Sequence, residues 1–206
     1  MGYYYLAAQL PYLVYGQAAP MSSRAYRELC RTLLGPGDRA LLDCCSLDPD
    51  PGAAFPSYGE PPRPGDSGFI DRWRNWERVL RLNLARYRAQ RIKREGGAPV
   101  DPPEHPADAA AAAKAAAAMD SPLEAELYLD KARWDAIEAF QGLSGFSRNM
   151  VFAYLLKLLL MERRALFKTE EGFSEYKGLY AAIMERASGA SGTGTASTSI
   201  ESGEPK

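Results

Sequence analysis

The sequence predicts an all-α fold: an antiparallel, bundle-like domain of about five or six helices joined by proline-rich loops. Apolar residues recur with a helical period along the longest segments, one segment opens on a helix-start signature, and prolines and glycines cluster between these segments. The chain has 206 residues, of which 46% are hydrophobic and 25% are charged, with a net charge of -1. These values are typical of one compact soluble domain.

The N-terminal segment is rich in tyrosine. Neither a two-residue nor a helical period fits residues 1–15, so a strand and a short helix both remain open there. Burial of its aromatic rings would anchor the segment. Residues 22–34 then read as a helix that ends at Gly35, a second short helix is expected over 38–46, and six prolines predict a loop over 48–68.

The clearest helical stripe lies in residues 69–95. Its large apolar side chains recur at spacings of 4, 3, 4, 4 and 3 residues: Phe69, Trp73, Trp76, Leu80, Leu84 and Tyr87. Residues 96–120 follow as a loop or low-complexity insert that includes an alanine tract over 109–118. Because alanine offers no bulky side chain with which to dock, we expect the tract to be an exposed helical extension or an insert.

The second half of the chain predicts three further helices. Ser121 and Glu124 form a capping box with Pro122 at the first helical position, and this helix runs to about Gln141. The next helix begins near Phe146 and is apolar over most of its circumference, so it is predicted to lie in the core. Its Lys157 either reaches solvent or meets a carboxylate such as Glu124, Glu126 or Glu138.

A last helix is predicted from Ser174 to about Ala187. Its large apolar residues are expected to face inward: Tyr176, Leu179, Tyr180, Ile183 and Met184. The domain is thus predicted to cover 1–187, and the Gly-, Ser- and Thr-rich residues 188–206 form a disordered tail.

The composition argues against the common kinds of catalytic site. The single His105 lies in a proline-bracketed run, and the cysteines (Cys30, Cys44 and Cys45) have no CxxC spacing. Ser-His-Asp and Cys-His catalysis and multi-histidine metal sites are therefore not expected, nor does a phosphate-binding glycine motif occur in a suitable context. We predict a protein that is not an enzyme and has no cofactor. It also lacks a convincing signal peptide and an apolar run of about 18 residues, which predicts a cytoplasmic location.

The strongest charge asymmetry lies in the 69–95 helix, which carries nine basic and three acidic residues. Such a face either docks on an acidic protein, an anionic lipid or a nucleic acid, or is a solvated face that keeps the helix soluble. Nucleic acid is not favoured, because no recognised binding motif accompanies the basic residues. The candidate interaction surface combines the N-terminal tyrosines with this face: Tyr3, Tyr4, Tyr5, Arg74, Arg78, Arg81, Arg88 and Arg91.

Four blocks of the sequence resemble a bacterial protein family whose genes lie inside V-type (A/V-type) ATPase operons, beside the genes for subunits E and A. The blocks are GYYYLAAQLPYL (2–13), WERVLRLNLARYRAQRI (76–92), SPLEAELYLDKARWDAIEAF (121–140) and FSRNMVFAYLLKLLLMERRALF (146–167). That operon position is normally held by the C subunit, the counterpart of the eukaryotic d subunit, which is a socket between the membrane ring and the central shaft. The C-subunit family is all-helical, begins with a Tyr-rich segment and has N-x-x-x-x-R helices, which Asn83 and Arg88 echo, but this chain is much shorter.

The resemblance implies a non-catalytic accessory or structural subunit of a bacterial V-type ATPase, in a shortened C-subunit-like role between central stalk and membrane ring. Its partners would be subunits of the central stalk, membrane ring or peripheral stalk. It would lie on the cytoplasmic side of the inner membrane and touch the membrane only through the complex. The alternatives are a transient assembly or regulatory factor of the same complex, and an adapter that binds acidic surfaces through the basic helix.

Overall fold

The structure is a computed structural model, and it describes residues 2–47, 68–91, 103–167, 177–180 and 183–184. The described chain is all-α, as predicted, and these residues contain no strand. The chain divides into two units, Met1–Ala165 and Leu166–Lys206.

The described residues of the first unit form seven helices. They are α1 (Gly2–Gln9), α2 (Ser23–Leu33), α3 (Pro36–Asp43), α4 (Gly68–Arg91), α5 (Ala107–Ala117), α6 (Pro122–Gln141) and α7 (Arg148–Ala165). The N-terminal segment, for which a strand and a short helix were both open, forms helix α1. The alanine tract forms a further helix, so the structure has more helices than the five or six expected. The antiparallel bundle stays a prediction.

Two of the predicted helices, α2 and α6, begin at side-chain caps. The Ser121 hydroxyl accepts a hydrogen bond from the Glu124 amide at 3.3 Å, and Pro122 occupies the first turn of α6. Ser22 caps α2 in the same way through the Ala25 amide at 3.1 Å. Gly142, with φ of 73°, follows the end of α6 in a conformation that an L side chain rarely adopts.

Helix α7 lies at the centre of the core. Ten of its residues between Met150 and Met161 are buried, and the helix contacts α1, α2, α3, α4 and α6. Tyr26 of α2 is fully buried against it and donates a hydrogen bond to the Val151 carbonyl at 2.9 Å. The prediction of a core helix is therefore confirmed.

The apolar stripe of α4 is also confirmed. Its first five members are buried and Tyr87 is half-buried. The Trp73 and Trp76 rings stack with their centroids 6.0 Å apart. Residues 92–95 of the predicted helix, and the proline-rich loop over 48–67, lie outside the described residues.

The alanine tract is more buried in the structure than the sequence predicted. Helix α5 packs against α4 and α6, and its buried side chains are Ala109, Ala112, Ala113 and Ala116. The Trp76 indole N–H donates to the Asp108 carboxylate at 2.8 Å, which holds the start of α5 on α4. The expectation of an exposed helical extension was wrong, because small side chains allow two helices to approach closely and pack without large residues. The alternative, that the tract is an insert, stays a prediction.

The described apolar side chains of the second unit are more exposed than the sequence predicted. Its helical residues 177–180 and 183–184 carry apolar side chains that are exposed by 64% at Leu179, 54% at Tyr180, 55% at Ile183 and 54% at Met184. The prediction that these side chains face inward was wrong. Tyr176 and the predicted tail over 188–206 lie outside the described residues, and the extension of one domain to residue 187 stays a prediction.

Candidate functional site

The three tyrosines of α1 have different environments. Leu6 is fully buried and holds the helix on the core, while Tyr4 and Tyr5 are exposed by 65% and 63%. Tyr3 is half-buried and donates a hydrogen bond to the Asp38 carboxylate. Burial, followed by that hydrogen bond and the charge of Asp38, raises the pKa of Tyr3 to about 12. Tyr3 therefore fastens α1 to α3, and only the other two tyrosines are free to meet a partner.

An exposed aromatic surface surrounds Tyr4. Its ring stacks on Phe146, which lies between α6 and α7, with the ring centroids 4.6 Å apart. Leu143 precedes Phe146 in the same turn and is completely exposed, and Tyr12 is 88% exposed. We call Tyr4, Tyr12, Leu143 and Phe146 the aromatic surface. Sequence reasoning missed Leu143 and Phe146, because residues in a glycine-flanked turn have no periodicity that reveals their partners.

A groove of about 230 Å³ opens beside the aromatic surface. Its walls come from Leu10–Leu13 on one side and from Met150, Tyr154 and Lys157 of α7 on the other. The Tyr154 hydroxyl donates to the Pro11 carbonyl at 2.9 Å, which ties the two walls together. Burial raises the pKa of Tyr154 to about 12, so its hydroxyl stays protonated at neutral pH.

Lys157 meets one of the carboxylates predicted for it. Its Nζ lies 3.0 Å from a Glu138 carboxylate oxygen and 4.9 Å from the centre of the Trp134 ring. Partial burial would raise the pKa of Glu138, but the hydrogen bond and charge of Lys157, together with the Trp134 indole N–H, lower it instead. The cation is therefore neutralised within the protein.

The predicted arginine face is largely occupied by intramolecular contacts. Arg81 donates to Glu77 at 2.7 Å and to the Leu47 carbonyl. Arg78 donates to the Asn75 side chain at 2.8 Å, and Arg74 donates to the Cys44 carbonyl at 3.4 Å. Arg78 and Arg81 are half-buried and brace the protein's own surface, whereas Arg74 is exposed.

Two further arginines of that face, near the end of α4, are also largely exposed. Arg88 and Arg91 have side-chain exposures of 65% and 66%, with loose contacts to Glu126 at 3.5 Å and Asp120 at 3.9 Å. Exposed ion pairs of this kind contribute at most about 1 kcal/mol and are easily exchanged for a partner's carboxylates. We call Arg88 and Arg91 the arginine pair.

The aromatic surface and the arginine pair do not form one surface. The arginine pair lies beside residues 120–126, at the start of α6, whereas Phe146 follows the end of α6. A helix of 20 residues is about 30 Å long at about 1.5 Å per residue. Tyr4 and the arginine pair, all among the candidate contact residues, therefore lie at opposite ends of α6.

A buried ionic network crosses the interface of α4, α6 and α7. Arg133 contacts both carboxylate oxygens of Glu77 at 3.1 Å and one oxygen of Asp130 at 3.1 Å. Arg163 of α7 reaches the same Asp130 oxygen at 3.5 Å and donates to Glu126 at 2.7 Å. Burial raises the pKa of Asp130 despite the opposing charges of Arg163 and Arg133, and its second oxygen has no hydrogen-bond partner among the described residues.

Sequence analysis missed this network. Asp130 and Arg133 lie beside Leu129 and Trp134 on the buried face of α6, where charged residues are rare unless they are paired. Asn83, which echoes the N-x-x-x-x-R pattern, is likewise buried and donates to the Val79 and Pro103 carbonyls at 3.0 and 3.3 Å. These polar groups hold helices together and are not offered to a ligand.

Metal-binding side chains do not cluster in the described residues. These residues contain no group of three or more His, Cys, Asp and Glu side chains that would hold a metal ion. Cys44 is exposed, whereas Cys30 and Cys45 are buried, and burial raises the pKa of Cys45 to about 12. Within the described helices, none combines the length and the apolar character needed to cross a bilayer.

The chain was compared with family models, curated proteins and solved structures, and none of them matches it.

Proposed function

We propose that this protein is a non-catalytic accessory or structural subunit of a bacterial V-type ATPase, which links the central stalk to the membrane ring in a C-subunit-like role. The four blocks that carry the sequence resemblance include most of α4 and α6, all of α7 and the whole of α1. A linking subunit needs a stiff body with a separate contact at each end.

One observation carries the proposal: two chemically different exposed sites lie at opposite ends of α6. The aromatic surface suits a close, uncharged protein contact, and the arginine pair suits an acidic one. Between them, the buried contact of Arg133 with Glu77 joins α6 to α4. This arrangement supports simultaneous binding of two partners about 30 Å apart.

A native pull-down tests the proposal. The tagged full-length chain is recovered from detergent-solubilised membranes of its own cell, and the co-purifying chains are identified and counted. We expect the catalytic, stalk and ring subunits of the V-type ATPase at near-integer ratios. Recovery of none of these subunits would refute the proposal, and their recovery only during assembly would replace it with the transient-factor alternative.

Two variants examine the linking role. Joint replacement of Arg88 and Arg91 by glutamate should release the subunits bound at that end and leave those bound at the aromatic surface. Arg31→Glu is a matched control, because Arg31 is 59% exposed and its ion pair with Glu28 on α2 is also exposed to solvent. If both sets of subunits leave together, the two ends do not act separately and a linking role is excluded.

The arginine pair also supports the adapter alternative. An adapter would bind acidic surfaces with a steep dependence on salt and would lose all binding on charge reversal at Arg88 and Arg91. Arg81 is unsuitable for this test, because its contact with Glu77 belongs to the buried network. Salt-sensitive binding without any ATPase subunit would therefore favour the adapter.

A further inference from the structure

The two segments that carry the aromatic surface contain no charged residue, and the charges next to them are paired with each other: Arg148 with Asp38 at 3.8 Å and Lys157 with Glu138 at 3.0 Å. No Asp, Glu, Lys or Arg occurs in residues 2–23 or in residues 139–147, although 25% of the whole chain is charged. These two segments are far apart in the sequence, and the Tyr4–Phe146 contact joins them. The fold thus gathers uncharged segments into one exposed region.

The exposed side chains of this region are unusual as a group. Single exposed apolar residues are common in soluble proteins, but four large ones from two segments are typical of a binding site. Tyrosine and phenylalanine are enriched in protein–protein interfaces, and charged residues are depleted at their centres. The aromatic surface has both properties.

The neighbouring groove limits the size of what enters it. Its volume of about 230 Å³ is below the range of about 300–1,000 Å³ for small-molecule sites. It suits one or two side chains of a protein segment. Lys157 is the cation in its wall, but the side chain is only 13% exposed and pairs with Glu138.

We infer that the aromatic surface and its groove dock an uncharged protein segment, which inserts one large aliphatic or aromatic side chain between Leu10–Leu13 and Met150. A charged segment would lose hydration there, and to gain an opposite charge it would have to displace Asp38 from Arg148 or Glu138 from Lys157. A lipid surface fits less well, because interfacial helices that bind membranes are rich in Lys and Arg beside their apolar face. The inference that the segment belongs to an ATPase subunit rests on the proposed function.

Photo-crosslinking in living cells tests this inference on the full-length chain. The crosslinking amino acid p-benzoylphenylalanine replaces Leu143, Tyr12 or, as a control on α6, Tyr128, which is 39% exposed. We expect crosslinkers at Leu143 and Tyr12 to form adducts with the same partner segment, and that segment should contain no acidic or basic residue. The crosslinker at Tyr128 should form no adduct with that segment.

A binding measurement completes the test. A synthetic peptide of the crosslinked segment should bind the purified chain, and Leu143→Asp should weaken its Kd about tenfold or more, whereas Tyr128→Asp should leave it within about twofold. Because Leu143 is completely exposed, the substitution should not change thermal unfolding, which is measured in parallel.

The outcomes separate this inference from the proposed function. If the crosslinked segment is uncharged but belongs to a protein outside the ATPase, the docking site is supported and the proposed ATPase partner is refuted. Recovery of ATPase subunits in the pull-down, without adducts at Leu143 or Tyr12, would refute the docking site alone. Adducts with a charged segment, with lipid or with a second copy of this chain would also overturn the inference.

Discussion

Replacement of Arg133 by methionine should destabilise the protein by about 3 kcal/mol, because truncation of one partner of a buried charge pair leaves the other uncompensated. The Arg133 side chain is 5% exposed, and its partners Glu77 and Asp130 are 10% and 1% exposed. Such truncations cost about 3–5 kcal/mol. The lower end applies here, since Glu77 keeps Arg81 at 2.7 Å and Asp130 keeps Arg163 at 3.5 Å.

The assay is equilibrium urea unfolding of the purified full-length chain at neutral pH, with thermal unfolding as a second measurement. For a domain of this size, about 3 kcal/mol corresponds to a Tm lower by roughly 6–12 °C. Arg31→Met is the matched control. Its ion pair with Glu28 is 59% and 60% exposed, so we expect a change of at most about 1 kcal/mol.

A double variant separates the charge effect from packing. Combining Arg133→Met with Glu77→Gln should cost less than the sum of the single changes, since the carboxylate left uncompensated is then absent. A loss of less than about 1 kcal/mol for Arg133→Met, or no difference from Arg31→Met, would refute the reasoning. Water would then reach the network in solution, and the ion pair would act as a surface pair.

Three further predictions follow from the same structure. Ala113→Leu should lower the free energy of unfolding by about 1–3 kcal/mol, because the larger side chain overpacks the α4–α5 contact. Ala111→Leu, on the exposed face of α5, should be nearly neutral. Equal urea midpoints for the two variants would contradict the packing of the tract. Iodoacetamide should label one thiol per native chain, at Cys44, and three per unfolded chain by mass spectrometry; rapid labelling of a second native thiol would contradict the burial. Because the pKa of Glu138 is lowered below its ordinary 4.5, its contribution to stability is present above that pH and is lost as the pH falls through the lowered value. The stability advantage of wild type over Glu138→Gln in urea unfolding should therefore shrink from pH 7 to pH 3, and an advantage that grows would contradict the sign.

Local signals predicted most of the helices correctly. Ser121 with Pro122 marks the start of α6, and the spacing of large residues from Phe69 onward marks the inner face of α4. Both signals act within one or two turns of helix, so no distant residue is needed to read them. The sequence also allowed the Lys157–Glu138 contact to be predicted as one of three candidate pairs, because a cation inside an apolar helix requires a nearby carboxylate.

The predictions failed where the outcome depends on distant residues. The alanine tract has no pattern that announces burial, and only its neighbours α4 and α6 make small side chains sufficient. Arg133 and Asp130 look like solvent-facing residues until Glu77, more than 50 positions earlier, is placed beside them. The apolar stripe of Leu179 and Ile183 predicted burial, but periodicity cannot say whether a surface is present to receive it.

The sequence by itself determined the all-α class, the principal helix starts and the apolar face of α4, because backbone capping and helical periodicity are local properties. It also predicted that the tyrosines and arginines are candidates for contact. Only the tertiary structure decided which of them are free. It turned Tyr3 toward Asp38 and Arg81 toward Glu77, brought Tyr4 onto Phe146, and placed Arg88 and Arg91 at the other end of α6. The physical reason is that exposure and pairing are set by residues far away in the chain, which only the packed helices bring together.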